Sequence, residues 1–209
     1  MNRVKQIKKQ TDNRFLNLYE FEAEHRDGET TPYFVASRAR NQEELKALCH
    51  DKRSDGVIIY AVYGEKKDRV VLVRQFRYPI NDYIYEFPAG LVEEGEDMFE
   101  AGIREIYEET GLKFTPKKVD AAYAKPYYTT VGMTDECCGT VYGYCEGIPS
   151  NSHQEDSEDI QIVLADREEC RRILREENVA IMCAYMLMHF IHSSEEDPLA
   201  FTEEIQEGM

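Results

Sequence analysis

Apolar positions fall into short blocks along the chain, and their spacing alternates between a period of two and a period near 3.6. Residues 14–38 read as a β-hairpin. Phe15, Tyr19 and Phe21 alternate on one face, Leu16 and Leu18 on the other, Asp27-Gly28 supplies the turn, and residues 33–37 return. Residues 41–50 read as a short helix or a connection. Residues 57–63 are continuously apolar, a polar loop covers 64–68, and residues 70–73 are apolar again. Further strands are expected at 83–87, closed by Pro88, and at 119–124, 140–145 and 160–164. Helical periodicity starts near Asp97 and stops at Gly111, a residue suited to a C-terminal cap. Two closing helices are expected at 167–176 and 179–192, the second with Met182, Tyr185, Met186 and Met188 in its core. Strands and helices alternate irregularly, which favours a mixed α/β or α+β sandwich over a doubly wound parallel sheet.

The 209 residues suffice for one domain with a small appendage and a core that needs no staple. A lone hairpin is marginal in water, so the N-terminal segment must pack on something. This gives a division into residues 1–50, an N-terminal β segment, and residues 51–209, the main domain. Charge narrows the function classes. Lys and Arg number 25 and Asp and Glu 41, a net charge of −16, so nucleic acid and anionic membrane are repelled and cations attracted. No stretch reaches the roughly 18 apolar residues of a membrane span. The basic start, MNRVKQIKKQ, has no apolar segment behind it of the kind a signal peptide carries. Six cysteines form no CxxC pair and no His/Cys ligand spacing, as expected of free thiols in a reducing cytoplasm.

The chemistry concentrates in residues 90–112, GLVEEGEDMFEAGIREIYEETGL. At about 100° per residue, Glu105, Glu108 and Glu109 share one helix face. Phe99, Ile103 and Ile106 form a separate stripe expected to face the core. Three like charges at i, i+3 and i+4 destabilise a helix unless neutralised, and clustered carboxylates suit hard divalent cations, Mg²⁺ above all. Arg104 is placed to brace them, and Gly90 and Gly95 permit the tight loop into the helix. The competing reading is a solvated acidic face.

The full pattern separates the two. Gly90, five residues, Glu96, seven residues, then Arg104-Glu105-Ile106-Tyr107-Glu108-Glu109-Thr110-Gly111-Leu112 resembles the signature of the Nudix hydrolases. The flanks 73–79 (VRQFRYP) and 85–90 (YEFPAG) resemble the ADP-ribose pyrophosphatase branch. The resemblance implies an α/β/α Nudix sandwich with a mixed sheet, plus a small N-terminal antiparallel sheet that contributes to a homodimer and to the substrate site. It implies a Mg²⁺-dependent pyrophosphohydrolase, with Mn²⁺ able to substitute, that cleaves ADP-ribose or a related nucleoside diphosphate sugar to a nucleoside monophosphate and a sugar phosphate. The implied metal ligands are Glu105, Glu108, Glu109 and the Ala89 carbonyl. Gly90, Glu96, Arg104 and Gly111 are implied as structural parts of the signature.

An enzyme this acidic binds an anionic diphosphate through metals and local cations. Arg74 and Arg77 are candidates for that contact, or are ordinary exposed strand arginines. Glu86 is a candidate for a base or ribose contact, or is a strand-edge carboxylate. The branch's Pro-Gly step reads Val131-Gly132 here, a departure that bears on substrate preference. The family's catalytic base lies in an acidic loop before a strand. In the best register it falls on Asp156, with Glu155 beside it and Glu158 two residues on, and Glu136 is the next candidate. The rivals are a Nudix hydrolase for another nucleotide sugar or a dinucleotide, and a non-catalytic Nudix-like ligand-binding regulator.

Overall fold

The structure is a computed structural model that describes residues 3–154 and 159–203. In chain order its strands and helices are β1 (Val4–Lys9), β2 (Asn17–Glu24), β3 (Thr30–Ser37), α1 (Lys46–Cys49), β4 (Gly56–Tyr63), β5 (Arg69–Arg77), β6 (Asp82–Glu86), β7 (Ala89–Leu91), α2 (Met98–Thr110), β8 (Lys113–Pro116), α3 (Ala121–Ala124), β9 (Tyr127–Tyr128), β10 (Cys137–Glu146), β11 (Ile160–Asp166), α4 (Arg167–Glu176) and α5 (Ile181–His192). Contacts divide them into two units. One comprises residues 1–55 with 126–138, the other residues 56–125 with 139–209. Among the described residues no helix is long and apolar enough to cross a membrane.

The first unit is built on an antiparallel sheet in the order β1-β2-β3. Tyr19 and Phe21 point into a cluster with Val35, Ala39 and Leu45, and the Tyr19 hydroxyl donates to the Ala39 carbonyl at 2.8 Å. One expectation fails here, and one strand was not foreseen. Phe15 precedes β2 and is 69% exposed, so it does not share the face of Tyr19 and Phe21. The basic start forms a strand, β1, which its charge pattern conceals. Residues 126–138 return to this unit. The Ala36 N–H donates to the Met133 carbonyl, and Tyr33 donates to the Gly132 carbonyl. The first two residues of β10, Cys137 and Cys138, pair with β9.

The larger unit carries the α/β sheet in the order β11-β5-β4-β10-β8, with β6 paired to β5 and β7 to β4. The apolar run of β4 is buried almost throughout, as a central strand covered on both faces requires. On one side Val57, Ile59, Ala61, Val71 and Val141 meet Ala101, Ile106 and Leu112. Tyr60 stacks on Phe87 at 5.0 Å and packs with Tyr142 and Phe201. Tyr123 joins that cluster, edge-on to Tyr142 and Phe201.

Three expectations are corrected in this unit. Residues 119–124 are not a strand. Asp120 caps the Ala122 N–H, and the alanine-rich turn that follows, without β-branching, forms α3. In α2 the buried residues are Ala101, Gly102, Ile106, Glu109 and Thr110, while Phe99 and Ile103 are exposed. The inward arc is rotated toward the glutamates, and Gly102 on that arc faces Val141 and Ile59. In α5 the core is Cys183, Leu187 and Phe190, and Met182, Tyr185 and Met188 are exposed.

Candidate functional site

The segment from Ala89 to Thr110 is fixed at both ends of its helix by local chemistry. Asp97 accepts from the N–H groups of Phe99 and Glu100 at 2.8 and 2.9 Å. Glu100 reciprocates by accepting from the Asp97 N–H at 3.1 Å, completing a capping box. At the other end Gly111 adopts φ +67°, and its N–H donates to the Tyr107 carbonyl at 2.7 Å. Upstream, Ala89 and Gly90 in β7 pair with Ile58 and Val57 of β4, so the loop enters the helix from a strand edge held by the core.

Arg104 is the hub. Its Nε and Nη2 donate to Glu96 Oε1 and Oε2, both at 2.9 Å, a bidentate fork. Nη1 donates to Glu105 Oε1 at 2.8 Å and to Glu108 Oε2 at 3.1 Å, and Nη2 also reaches the Leu91 carbonyl at 3.0 Å. This pairing, with Glu96 foremost, raises the guanidinium's pKa further. It also holds the Glu96 carboxyl below its ordinary value of 4.5. Arg104 thus pairs with all three carboxylates, and Glu96 is the one it holds bidentately.

The three glutamates of the face differ. Glu108 is half exposed, Glu105 is mostly covered, and Glu109 is 3% exposed. The Glu105 carboxylate lies in the space a Cβ at residue 90 would fill, so Gly90 is required for the close approach of that carboxylate to the backbone of β7. Ala89, whose carbonyl was expected as a ligand, is the next residue. Among the described residues no three carboxylate, imidazole or thiol groups already form a metal cage. Here Arg104 takes up the charge of Glu105 and Glu108. The Glu105 carboxylate, tethered by Arg104 in the cradle that a Cβ at residue 90 would fill, offers oxygens of the kind a hard divalent cation takes.

The β5–β6 hairpin positions the other expected residues. Val73 pairs with Glu86 and Arg77 with Asp82. Arg77 Nε donates to Glu86 Oε2 at 2.7 Å, so these two candidates are partners of each other. Arg74 lies over the Tyr83 ring at 4.2 Å and donates to Gln161 Oε1 at 3.3 Å. Tyr83 in turn donates to the Asp159 carboxylate. Glu136 belongs to the other unit, where it pairs with Arg38 at 3.3 Å and accepts from the Thr129 hydroxyl at 3.0 Å. Glu155, Asp156 and Glu158 lie outside the described residues. Sequence reasoning missed the residues before them. Gln154 Nε2 donates to the Glu109 carbonyl at 2.7 Å, and His153 stacks on Tyr107 at 4.6 Å. Neither carries a local sequence signal, because both partners are more than forty residues away.

Known proteins match this arrangement. Residues 52–179, more than half of the chain, match the NUDIX domain. An ADP-ribose pyrophosphatase of Bacillus subtilis (strain 168) is 40% identical over 85 residues, covering 41% of this chain and 43% of that protein. An ADP-sugar pyrophosphatase of Mus musculus is 54% identical over 87 residues, covering 40% of each. The chain thus aligns with about two fifths of the length of these relatives. A crystal structure titled as an ADP compounds hydrolase superposes with a TM-score of 0.56 at 17% identity, covering 83% of this chain and 82% of that one, a likeness of fold. The intact signature, the sheet that carries it and the family match agree, and the chain belongs to the NUDIX domain family.

Proposed function

We infer that this protein is a divalent-cation-dependent pyrophosphohydrolase acting on ADP-ribose or a related nucleoside diphosphate sugar, releasing a nucleoside monophosphate and a sugar phosphate. The observation that carries the reading is the Arg104 hub, which gathers Glu96, Glu105 and Glu108 while Glu105 occupies the cleft left by Gly90. The names of the Bacillus and mouse relatives support the substrate class.

In this reading Glu105, Glu108, Glu109 and the Ala89 carbonyl hold Mg²⁺ or Mn²⁺. Such an ion, when bound, neutralises diphosphate charge and acidifies a bound water. The chain's own residues do the rest. Arg104 keeps two carboxylates in place, so their position is set before substrate arrives. Arg74 and Arg77 supply positive charge toward an anionic substrate in a chain whose net charge is −16. Glu86, oriented by Arg77, accepts a hydrogen bond from base or ribose. A carboxylate among Glu155, Asp156 and Glu158 takes the proton of the attacking water, with Glu136 as the alternative. We assign residues 1–50 to a homodimer contact that also borders the substrate and residues 51–209 to the hydrolase domain, and place the protein in the cytoplasm.

Val131, where the branch has Pro, favours a second reading, in which another nucleotide sugar or a dinucleotide is preferred. A panel of nucleotide sugars, dinucleotides and nucleoside triphosphates, assayed with Mg²⁺ and a coupled phosphatase, ranks these. Hydrolysis of a diphosphate substrate, abolished by chelator and reduced at least ~10²-fold by Glu109→Gln, is the expected result. Full activity in excess chelator overturns the reading.

A further inference from the structure

The smaller unit holds a covered lysine that the site above does not use. The Lys46 side chain is only 10% exposed, and a covered ammonium is costly unless it is paired. Its Nζ lies 2.7 Å from Asp55 Oδ2, donates to the Arg53 carbonyl at 3.0 Å, and stands 2.7 Å from Cys137 Sγ. The last contact is the unusual one. A distance of 2.7 Å is already the short end for an N–H···O bond. Sulfur is larger than oxygen, so a hydrogen bond to it is longer. A single oxygen atom placed between the nitrogen and the sulfur spans about this separation.

Both residues are held in place. Asp55 Oδ2 accepts from the Cys137 backbone N–H at 2.8 Å as well as from Lys46. The Lys46 backbone N–H donates to Asp135 Oδ2 at 3.2 Å, and the Cys137 thiol donates to the Arg53 carbonyl at 3.2 Å. A cavity of about 230 Å³, lined by Lys46, Asp55, Asp135 and Glu136 among others, opens beside the lysine and has room for a peroxide molecule, while Cys137 stands buried behind Nζ.

We propose that Lys46 and Cys137 are an oxidant-driven covalent switch that closes an N–O–S bridge between Nζ and Sγ. After the ammonium releases a proton, one N–H bond and the S–H bond break, and N–O and S–O bonds form to a single oxygen atom. With hydrogen peroxide as the oxidant, two peroxides supply that oxygen and leave as three waters. Nitrogen and sulfur together lose four electrons, which the two O–O bonds take up. Two dithiol molecules return the four electrons, restore amine and thiol, and release the oxygen as water. Bridging ties together two residues 91 positions apart. It also removes the cation facing Asp55, so the cavity becomes more acidic. The proposal is independent of the hydrolase reading.

The test uses the full chain, treated with hydrogen peroxide, quenched, digested without reductant and mapped by mass spectrometry. The expected product joins the peptide of residue 46 to that of residue 137 with a net gain of about 14 Da, one oxygen in and two hydrogens out. Dithiothreitol removes it. Cys137→Ser and Lys46→Arg abolish it, and Cys138→Ser keeps it. The unfolding midpoint rises by about 5 °C or more on oxidation, as for any cross-link closing a long loop, and falls back with reductant. Circular dichroism screens the variants for folding, and the wild-type peptide map decides the matter even if one fails. Recovery of Cys137 as a sulfinic or sulfonic acid beside an unmodified Lys46 overturns the proposal. So does a disulfide at Cys137, or no change at either residue at doses that oxidise the exposed Cys49.

Discussion

Two arginines of the larger unit have almost the same set of partners and different surroundings. Arg172 in α4 donates bidentately to Glu169 at 2.9 and 2.7 Å and singly to Glu177 at 2.7 Å, with Glu176 at 3.5 Å. Arg104 in α2 is bidentate to Glu96 and reaches Glu105 and Glu108. Every carboxylate held by Arg172 lies within five residues of it, on its own helix or at the helix end. Arg104 reaches back eight residues across a loop to Glu96 and thirteen to the Leu91 carbonyl. Arg172 gathers the carboxylates of its own helix and helix end and also bonds the Tyr85 side chain of β6. Arg104 ties a helix face to the loop before it and holds a carboxylate against backbone. The count of ion pairs is equal, so it is what the held carboxylates touch that marks a site.

The sharpest break of that comparison targets the touching group. Gly90→Ala places a methyl where the Glu105 carboxylate sits. The carboxylate is the far end of a flexible chain, so it moves aside at little cost to folding. Turnover on a diphosphate substrate is expected to fall about 10²-fold, the scale of a misplaced catalytic group, with the melting temperature nearly unchanged. A normal rate would show that Glu105 has no need of residue 90. Next comes removal of each hub. Arg104→Ala is expected to lower turnover about 10-fold and stability by about 1–2 kcal/mol, as its partly covered charged hydrogen bonds are lost. Arg172→Ala should leave both nearly where they were, because exposed pairs contribute little. Parallel kinetics and denaturant titrations of the two variants check this, and equal effects would erase the distinction.

The smallest effect is on acid stability. Arg104 holds the Glu96 carboxyl below 4.5, and Arg172 does the same for Glu169. A carboxyl whose folded pKa is depressed stabilises the fold above its ordinary value, and that contribution fades as pH falls through the folded value. The wild type should therefore lose stability as pH drops below about 4.5. Arg104→Ala should flatten that loss, and Arg172→Ala should flatten it less, since its pair is more exposed and better screened. Unfolding midpoints at a series of pH values would reveal it.

Much of this was legible in the residues alone. The buried run of β4, the Asp97 and Gly111 ends of α2 and the ion pairing of Arg104 with Glu105 and Glu108 follow from local patterns. What was not legible depends on contacts distant in sequence. That Ala101, Gly102 and Ile106 face inward while Phe99 and Ile103 do not is a matter of packing against β4 and β10, and nothing near residue 102 encodes Val141 or Ile59. The exposure of Met182, Tyr185 and Met188 follows from α5 packing on the face that carries Cys183, Leu187 and Phe190. Residues 119–124 are too short for their apolar content to discriminate strand from helix, and the Asp120 cap decides it. Lys46, Asp55 and Cys137 carry no shared motif, and only folding brings them together.

The smaller unit is assembled from two stretches of chain, with residues 56–125 synthesised between them. A ribosome adding about 5–20 residues each second needs several seconds to bridge that gap. During that interval Tyr33 has no Gly132 carbonyl to meet, Arg38 has no Glu136 and Lys46 no Cys137. The β1-β2-β3 sheet has all its strands but lacks its contacts with residues 126–138 while the intervening segment is made. The order of synthesis thus makes the last-made strip, residues 126–138, the part that completes the first-made sheet, and it makes that sheet the place where a nascent chain is most exposed to wrong partners.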